Sequence, residues 1–297
     1  MNKKYILAAS YDLKVHVSDA ESGNHIDEFE IPGSQVNRLI SISGFRFIAG
    51  AYQSIYLYDT KIQGRKQPQT FVGHESNVTD LCFQGGFLFS SSEDCSIKRW
   101  DIRTMKAETN ISANAPLNGL VVSPDCKYAY ACSENGCIYS YDLINQSKIS
   151  SFDMSSSPIR SISATSDASF FIASSQDGKS SMFKTENGKF SQVYTIKSHN
   201  DTQLRCIISP NNRYFATSAS ENSARIWKLD NGELKQNLIS NAAREWIWDI
   251  SFSSDSTQVC SAGSDCSCRI WDVECGRMIK NLPPLSKCVT AVAFMES

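Results

Sequence analysis

Short hydrophobic segments recur along the whole chain, each fenced by Asn, Ser, Pro, Gly or Asp. Segments that are β-branched or aliphatic and bounded by turn-forming residues read as strands. Residues 68–101 show the unit. PQTFVGH gives a strand and a Gly73-His74 turn, VTDLCF alternates as a second strand, and Gly85-Gly86 turns the chain into the mostly apolar FLFSSS. Glu93-Asp94 then makes a tight turn into SIKRWD. This order, an outermost strand d of one unit followed by strands a, b and c of the next, repeats down the chain. The seven a strands are VNRLISI, VTDLCF, LNGLVVS, IRSISAT, LRCIIS, WIWDISFS and VTAVAF, beginning near residues 36, 78, 117, 159, 204, 246 and 289.

The c strands set the period. SSSEDCSIKRWD closes on Trp100, SAGSDCSCRIWD on Trp271 and SASENSARIWK on Trp227, while SENGCIYSYD, AYQSIYLYD and SSQDGKSSMFK close on Tyr141, Tyr58 and Phe183. The first copy, ASYDLKVHVSD, has Ser18 where the aromatic belongs, and Lys184 follows Phe183 where Asp is usual. Successive steps at the closing position are 40, 42, 41, 42, 44 and 44 residues. A repeat of ~40–45 residues closing on Trp-Asp resembles the WD40 signature, which implies four strands to each propeller blade. The expected fold is therefore all-β, a seven-bladed propeller forming one domain over residues 1–297. The chain starts on a b strand, YILAAS, and finishes on an a strand, VTAVAF. The last blade is expected to take strands b, c and d from residues 5–31 and strand a from residues 289–294. Such sharing closes the ring and pairs edges that would otherwise invite aggregation.

In the third copy His74, Ser90, Asp94 and Trp100 stand at the offsets of the WD40 structural tetrad. The sixth copy offers His199, Thr217, Glu221 and Trp227, and the seventh keeps Ser261, Asp265 and Trp271 without a histidine. A Ser–His–Asp set is also the grouping of a hydrolase triad. Recurrence at the repeat period, joined to a tryptophan, favours structure, because a catalytic site would be unique. Asp12, Asp94, Asp177 and Asp265 recur in turns and read as turn formers. Of the four histidines, His16 and His25 lie on a c strand and at a d strand. No HExxH, P-loop, nucleophile elbow or GxGxxG is present, so no catalytic residue and no cofactor are expected.

Composition narrows the class further. A net charge of −2 carries no electrostatic footprint for nucleic acid. No window reaches the ~18 apolar residues of a membrane span, so direct membrane insertion is not expected. MNKKYILAASYD reads as a first strand rather than a leader, which leaves the sequons at Asn77, Asn110, Asn145 and Asn200 unused. Eleven cysteines, odd in number and unpaired by spacing, read as free thiols in a reducing compartment. Cys82 and Cys206 fall within strands, and Cys266-Ser-Cys268 has neither a second pair nor a nearby histidine, so no metal is expected there.

Trp246 and Trp248 break the repeat. They open an a strand in AREWIWDIS, on the same side of it and away from the closing position of a c strand. Large aromatics also bury well in sheets. Arg244 and Glu245 in the preceding loop, and the preference of tryptophan for interface centres, favour a binding role. The starts of other a strands carry amides and hydroxyls, Gln35-Val-Asn37, Asn77-Val-Thr79 and Asn114-Ala-Pro-Leu-Asn118. These suit adaptable hydrogen bonds to a partner and equally suit ordinary turns.

The stretches SQVNRL, GAYQSIYLYD, SSEDCSIKRWD, NAPLN and REWIWDISFSSDS resemble, in order and position, the GβL (Lst-eight) family. That resemblance covers residues 5–294. It implies a constitutive, non-catalytic propeller subunit of target-of-rapamycin (TOR) kinase complexes, shared by TORC1 and TORC2, in growth and nutrient signalling. It implies a cytoplasmic protein, peripheral on endomembranes through the kinase complex. The implied partners are a phosphatidylinositol-kinase-like protein kinase, gripped at an insertion in its C-lobe and stabilised, and other TOR complex subunits. The family interface maps onto Gln35, Asn37, Trp246 and Trp248, and the candidate partner-binding set adds Asn77 and Asn118. The competing reading is a generic WD40 adaptor, such as a substrate receptor for ubiquitin ligation. Such a receptor carries a docking segment outside the propeller, for which seven blades leave no room.

Overall fold

The computed structural model describes residues 3–42, 45–61, 67–239 and 246–296. Every regular element among them is a strand. The chain opens with β1 (Lys4–Ser10), β2 (Lys14–Asp19) and β3 (His25–Glu30). Then come β4 (Arg38–Ile42), β5 (Arg46–Gly50), β6 (Tyr52–Asp59) and the long β7 (Gln69–Gln84), followed by β8 (Phe87–Ser92), β9 (Ser96–Asp101) and β10 (Lys106–Ser112). The next strands fall in fours, from β11 (Leu117–Val122) to β14 (Ser147–Asp153) and from β15 (Ile159–Ala164) to β18 (Lys189–Lys197). Two more fours run from β19 (Gln203–Ile208) to β22 (Leu234–Ile239) and from β23 (Ile247–Phe252) to β26 (Met278–Asn281), and β27 (Val289–Glu296) ends the series.

Each four makes an antiparallel sheet, and β4 to β10 make one seven-stranded sheet in which β7 serves twice. Its first half is strand d beside β6, and its second half is strand a beside β8. A turn at Gly73-His74 was expected here. Strand geometry instead continues through these residues, and the β6 register jumps from Val72 to Asn77. Glycine suits that bend on two counts, a φ of 156° and a Trp100 ring so near that a Cβ would lie 3.2 Å from it. The innermost strands β4, β7, β11, β15, β19, β23 and β27 each pack against the next, and β27 returns to β4. Seven blades therefore close a ring. Below they are numbered by innermost strand, blade 1 on β4 and blade 7 on β27.

Blade 7 has the strand order β27-β1-β2-β3, with Lys4 opposite Glu296 and Ser10 opposite Val289. The two ends of the chain thus share a blade, with strand a supplied from the C-terminal side. Period-2 alternation explains the apolar b strands, since both faces of each blade meet a neighbour. Along β1, Leu7 and Ala9 enter the layer shared with blade 1, whereas Ile6 and Ala8 enter the layer shared with blade 6. One such buried layer lies between every two adjacent blades. The b–c turns are held by their acids. Asp12, Asp94, Asp177 and Asp265 each accept the backbone N–H two residues on, at 3.0–3.1 Å. That bond holds the intervening residue at positive φ even where it is Leu13, Cys95 or Cys266.

Removing residues 289–296 takes the partner from β1 and empties part of two layers. Burial of Val289, Val292, Phe294 and Met295 is worth ~1.5–3 kcal/mol each, which together rivals the ~5–15 kcal/mol that holds a domain folded. The truncated protein should lose its cooperative thermal transition in circular dichroism. An unchanged melting temperature would show that β27 does not close the ring.

Candidate partner-binding face

Two complete polar chains stand behind the c strands. In blade 2 the Trp100 indole N–H donates to Ser90 Oγ at 2.8 Å, Ser90 lies 2.7 Å from His74 Nε2, and His74 Nδ1 lies 2.7 Å from Asp94. In blade 5 Trp227 donates to Thr217 at 2.9 Å, Thr217 lies 2.8 Å from His199 Nε2, and His199 Nδ1 lies 2.6 Å from Glu221. Only one proton arrangement satisfies every atom: indole to hydroxyl, hydroxyl to Nε2, and Nδ1–H to carboxylate. The imidazole is then neutral. Ser90 and Thr217 are fully buried, so neither hydroxyl can meet a substrate. Burial pushes His74 and His199 below the ordinary value of 6.5, against the pull of Asp94 and Glu221. Burial would raise the two carboxyls, but hydrogen bonds from Ser96 and His199 outweigh it and hold both below their usual range.

Blade 6 keeps Trp271 on Ser261 at 2.9 Å, while Asp265 pairs with Arg269 in place of a histidine. Blades 1 and 4 substitute stacked rings, Tyr58 on Phe47 and Phe183 on Phe171, both with centroids 5.0 Å apart. The two tetrads tie d–a loops to b–c turns, and those loops and turns form one face of the ring.

At that face the second residue of each a strand forms a circle. Thr290 donates to Val36 O at 2.8 Å, Asn37 to Val78 O at 3.2 Å, Thr79 to Leu117 O at 2.8 Å and Asn118 to Ile159 O at 3.0 Å. Each bond crosses to the next blade, so this circle is a clasp running through blades 7, 1, 2 and 3. The amide N–H groups of Asn37 and Asn118 are thus already engaged, and Asn77 bonds Glu93 at 2.9 Å and Asn37 at 3.4 Å. Gln35 makes no side-chain hydrogen bond among the described residues. Gln35, Asn37, Thr79, Asn118, Trp248 and Tyr11 line one cavity of about 220 Å³ at the mouth of the channel.

Trp248 occupies the clasp position of blade 6 and makes no clasp. Its indole N–H is buried without an acceptor among the described residues. Trp246 stands just before β23, is 44 % exposed, and lies against Trp248 with ring centroids 4.9 Å apart. Arg244 and Glu245 lie outside the described residues. Two aromatics that the sequence reading missed extend this patch across the neighbouring blades: Tyr11, 45 % exposed, on blade 7 and Tyr52, 51 % exposed, on blade 1. Both open b–c turns, the position held by Glu93 and Glu134 on blades 2 and 3. Comparing that one position from copy to copy would have found them.

A second missed set lies deeper in the channel. Arg38 Nε sits 2.8 Å from Asp80 and Arg38 Nη1 sits 3.6 Å from Asp249, while Arg205 lies 3.4 Å from each aspartate. These four alternate in sign and link blades 1, 2, 5 and 6. Asp80 also accepts the Leu120 N–H at 3.2 Å, and Asp249 the Val292 N–H at 2.9 Å, each from the next blade. Buried charges call for pairing and hydrogen bonds. All four are paired and both aspartates accept hydrogen bonds, while Nε of Arg38 and of Arg205 makes no hydrogen bond among the described residues.

Four-stranded blades in a closed ring with tetrads behind the c strands define a WD40-repeat propeller. The family model described as WD domain, G-beta repeat matches residues 65–101, 190–228 and 232–272. Beyond the repeat, the chain is similar to the target of rapamycin complex subunit wat1 of Schizosaccharomyces pombe, 29% identical over 70% of this chain and 69% of that one. It is 33% identical to the target of rapamycin complex subunit LST8 of Saccharomyces cerevisiae over 40% of this chain and 41% of that one. With the mouse subunit of the same name it shares 26% identity over 70% of this chain and 67% of the relative.

The tetrads generate two expectations. Asp94→Ala leaves His74 Nδ1 buried without its acceptor, which costs ~1–3 kcal/mol, and a urea denaturation midpoint should fall accordingly with secondary structure intact. The pH dependence has a definite sign. Both imidazoles have folded values below their unfolded ones, so their contribution is complete above about pH 6.5 and falls as pH drops below it. The carboxylates act in the same direction below about pH 4. The double variant His74→Gln, His199→Gln should therefore show a smaller drop in melting temperature between about pH 7 and pH 5 than the parent; equal slopes would refute the neutral-imidazole assignment.

Proposed function

We propose that this chain, as one propeller domain over residues 1–297, is a non-catalytic subunit of TOR kinase complexes that binds the kinase and stabilises it. The names carried by its relatives across fungi and animals support the assignment to such complexes. The observation that carries the binding mode is the tryptophan pair. Trp246 is 44 % exposed, and Trp248, whose buried N–H has no acceptor among the described residues, stands where blades 7, 1, 2 and 3 place a clasping Thr or Asn. Trp246 and Trp248 serve as the anchor, Tyr11 and Tyr52 widen the apolar patch, and Gln35, Asn37, Asn77 and Asn118 form its polar border. An aromatic centre with a hydrogen-bonding rim is the usual anatomy of a specific interface. The partner surface is an insertion in the kinase C-lobe. The resulting complex is cytoplasmic and reaches endomembranes through the kinase, in both TORC1 and TORC2.

A tryptophan at the centre of an interface contributes at least ~2 kcal/mol on truncation, so two together are worth a roughly 1,000-fold loss of affinity. Trp246→Ala, Trp248→Ala should abolish co-purification with the kinase while melting and circular dichroism report an intact propeller. Gln35→Glu, which places a charge at the rim, should weaken binding less. Normal kinase recovery by the folded double variant would overturn this face as the docking surface, and recovery of a ubiquitin-ligase adaptor instead would overturn the assignment itself.

A further inference from the structure

Blade 7 has lost its tetrad. Register puts Ala8 where blade 2 has Ser90 and Ser18 where it has Trp100. Asp12 stands in place of Asp94, and the side chain that bonds it from the d–a loop is the Ser286 hydroxyl, at 3.1 Å, rather than a histidine. With no indole to fill the space, a cavity of about 380 Å³ opens there, lined by Asp12, His16, Ser18, His25 and Glu28 and closed off by the loop at Pro283–Leu285.

Three donor groups converge on this cavity. His16 on β2 lies directly opposite Glu28 on β3. His25 is three residues before Glu28 and would face the other side of a regular strand. The ladder skips Ile26, pairing Asp27 with Val17 and His25 with Ser18, and that bulge turns His25 onto the face of Glu28. One ligand atom from each of His16, His25 and Glu28 falls within 4.8 Å of the others. Ion–ligand bonds of about 2.0–2.1 Å in a tetrahedral site set donors about 3.4 Å apart, a contraction within the reach of side-chain rotation at a half-open cavity.

The surroundings prepare the ring. His16 Nε2 lies 2.9 Å from Asp12 Oδ2 and Nδ1 lies 4.0 Å from Glu28 Oε2; with Nε2–H donated to Asp12, Nδ1 is the nitrogen that can take an ion. A histidine fixed by a carboxylate on its far nitrogen is the arrangement found behind metal-bound imidazoles. Lys14 holds Glu28 Oε1 at 2.6 Å, which leaves Oε2 on the side of His16. In blades 5 and 6 the residue at the His16 position is Arg225 or Arg269, paired to the turn acid. Blade 7 alone replaces that guanidinium, which cannot bind a cation, with an imidazole, which can.

We propose that blade 7 binds one divalent zinc-class ion through His16, His25 and Glu28, with Asp12 as the positioning residue and a fourth place open to water or to a donor from a partner. Two imidazoles and a carboxylate suit ions such as Zn²⁺ better than Mg²⁺ or Ca²⁺, which prefer all-oxygen sites. An ion there would join strands c and d at the rim, doing for blade 7 what the indole does for blade 2.

Tag-free protein, stripped with chelator and titrated calorimetrically with ZnCl₂, should take up one equivalent. Asp12→Asn should weaken that affinity about 10–100-fold, and His25→Ala, at an exposed residue, should weaken it more while the metal-free protein melts as the parent does. The parent's melting temperature should rise with Zn²⁺ concentration, and the His25→Ala protein's should not. CoCl₂ should give visible bands without thiolate charge transfer. Two results would overturn the proposal: no uptake at tens of micromolar protein and metal, or equal uptake by parent and His25→Ala, which would assign the ion to the free thiols.

Discussion

No blade of this protein can bury itself. A four-stranded sheet has two faces and two edges, and here both faces are apolar along the b strand, as the division of Leu7 and Ile6 between different layers shows. Each blade is stable only between two others, so the set is stable only if the ring closes. Closure rests on the pairing of β27 with β1, the one place where sequence-distant strands must find each other. The outer edges are handled differently, by short or charged strands such as β26, four residues long, which blunt edge-to-edge pairing.

The inner edges face the channel and have no backbone partner across it. Side chains supply what a neighbouring strand would have supplied. Asn37, Thr79, Asn118 and Thr290 take carbonyls of the next blade, and Asp80, Asp249, Ser163 and Ser251 take its N–H groups. The square of Arg38, Asp80, Arg205 and Asp249 then ties opposite sides of the ring. Losing one member of such a buried set leaves an uncompensated charge, at a cost of ~3–5 kcal/mol. A channel laced this way is a rigid frame for the loops above it. Against that frame the failure of Trp248 to lace is informative: a position with a structural use in four blades carries in blade 6 a residue that cannot serve it.

The periodic parts of this architecture were legible in the sequence. Aromatic closing positions spaced 41–44 residues apart, turn acids six residues before several of them and incomplete ends of complementary type together specify a closed ring with a shared blade. Residues tied to their neighbours by fixed offsets, such as Ser90 and Trp100, can be placed by counting. What counting along one copy misses is chemistry that exists only between copies. Asp80 and Arg205 are 125 residues apart and meet only because the ring is closed. Reading the third position of the a strands as a column, Arg38, Asp80, Gly119, Ser161, Arg205, Asp249 and Ala291, would have exposed two Arg-Asp pairs four blades apart. Gly73-His74 misled for a local reason. Glycine before a polar residue suggests a turn, whereas this glycine sits within a strand, at a positive φ and under the Trp100 ring.

Tetrads are unevenly distributed, complete among the described residues in blades 2 and 5. A tetrad fastens a d–a loop to the b–c turn and c strand of the blade that follows it. In blade 7 the loop is followed by β27, whose pairing along the whole of β1 already fixes strand a to strand b from opposite ends of the chain. The set in this blade has an alanine for the strand hydroxyl and a serine for the indole, and Ser286 in place of a histidine on the turn acid. The turn acid Asp12 persists because the b–c turn still needs an acceptor for the Lys14 N–H. A retained carboxylate beside a vacated indole space changes what the neighbouring side chains can do. His16 sits where an arginine would merely pair with the acid, and it has a second nitrogen to offer. Blade 7 thus holds a position where the chemistry differs from the repeat, as the clasp position of Trp248 does in blade 6.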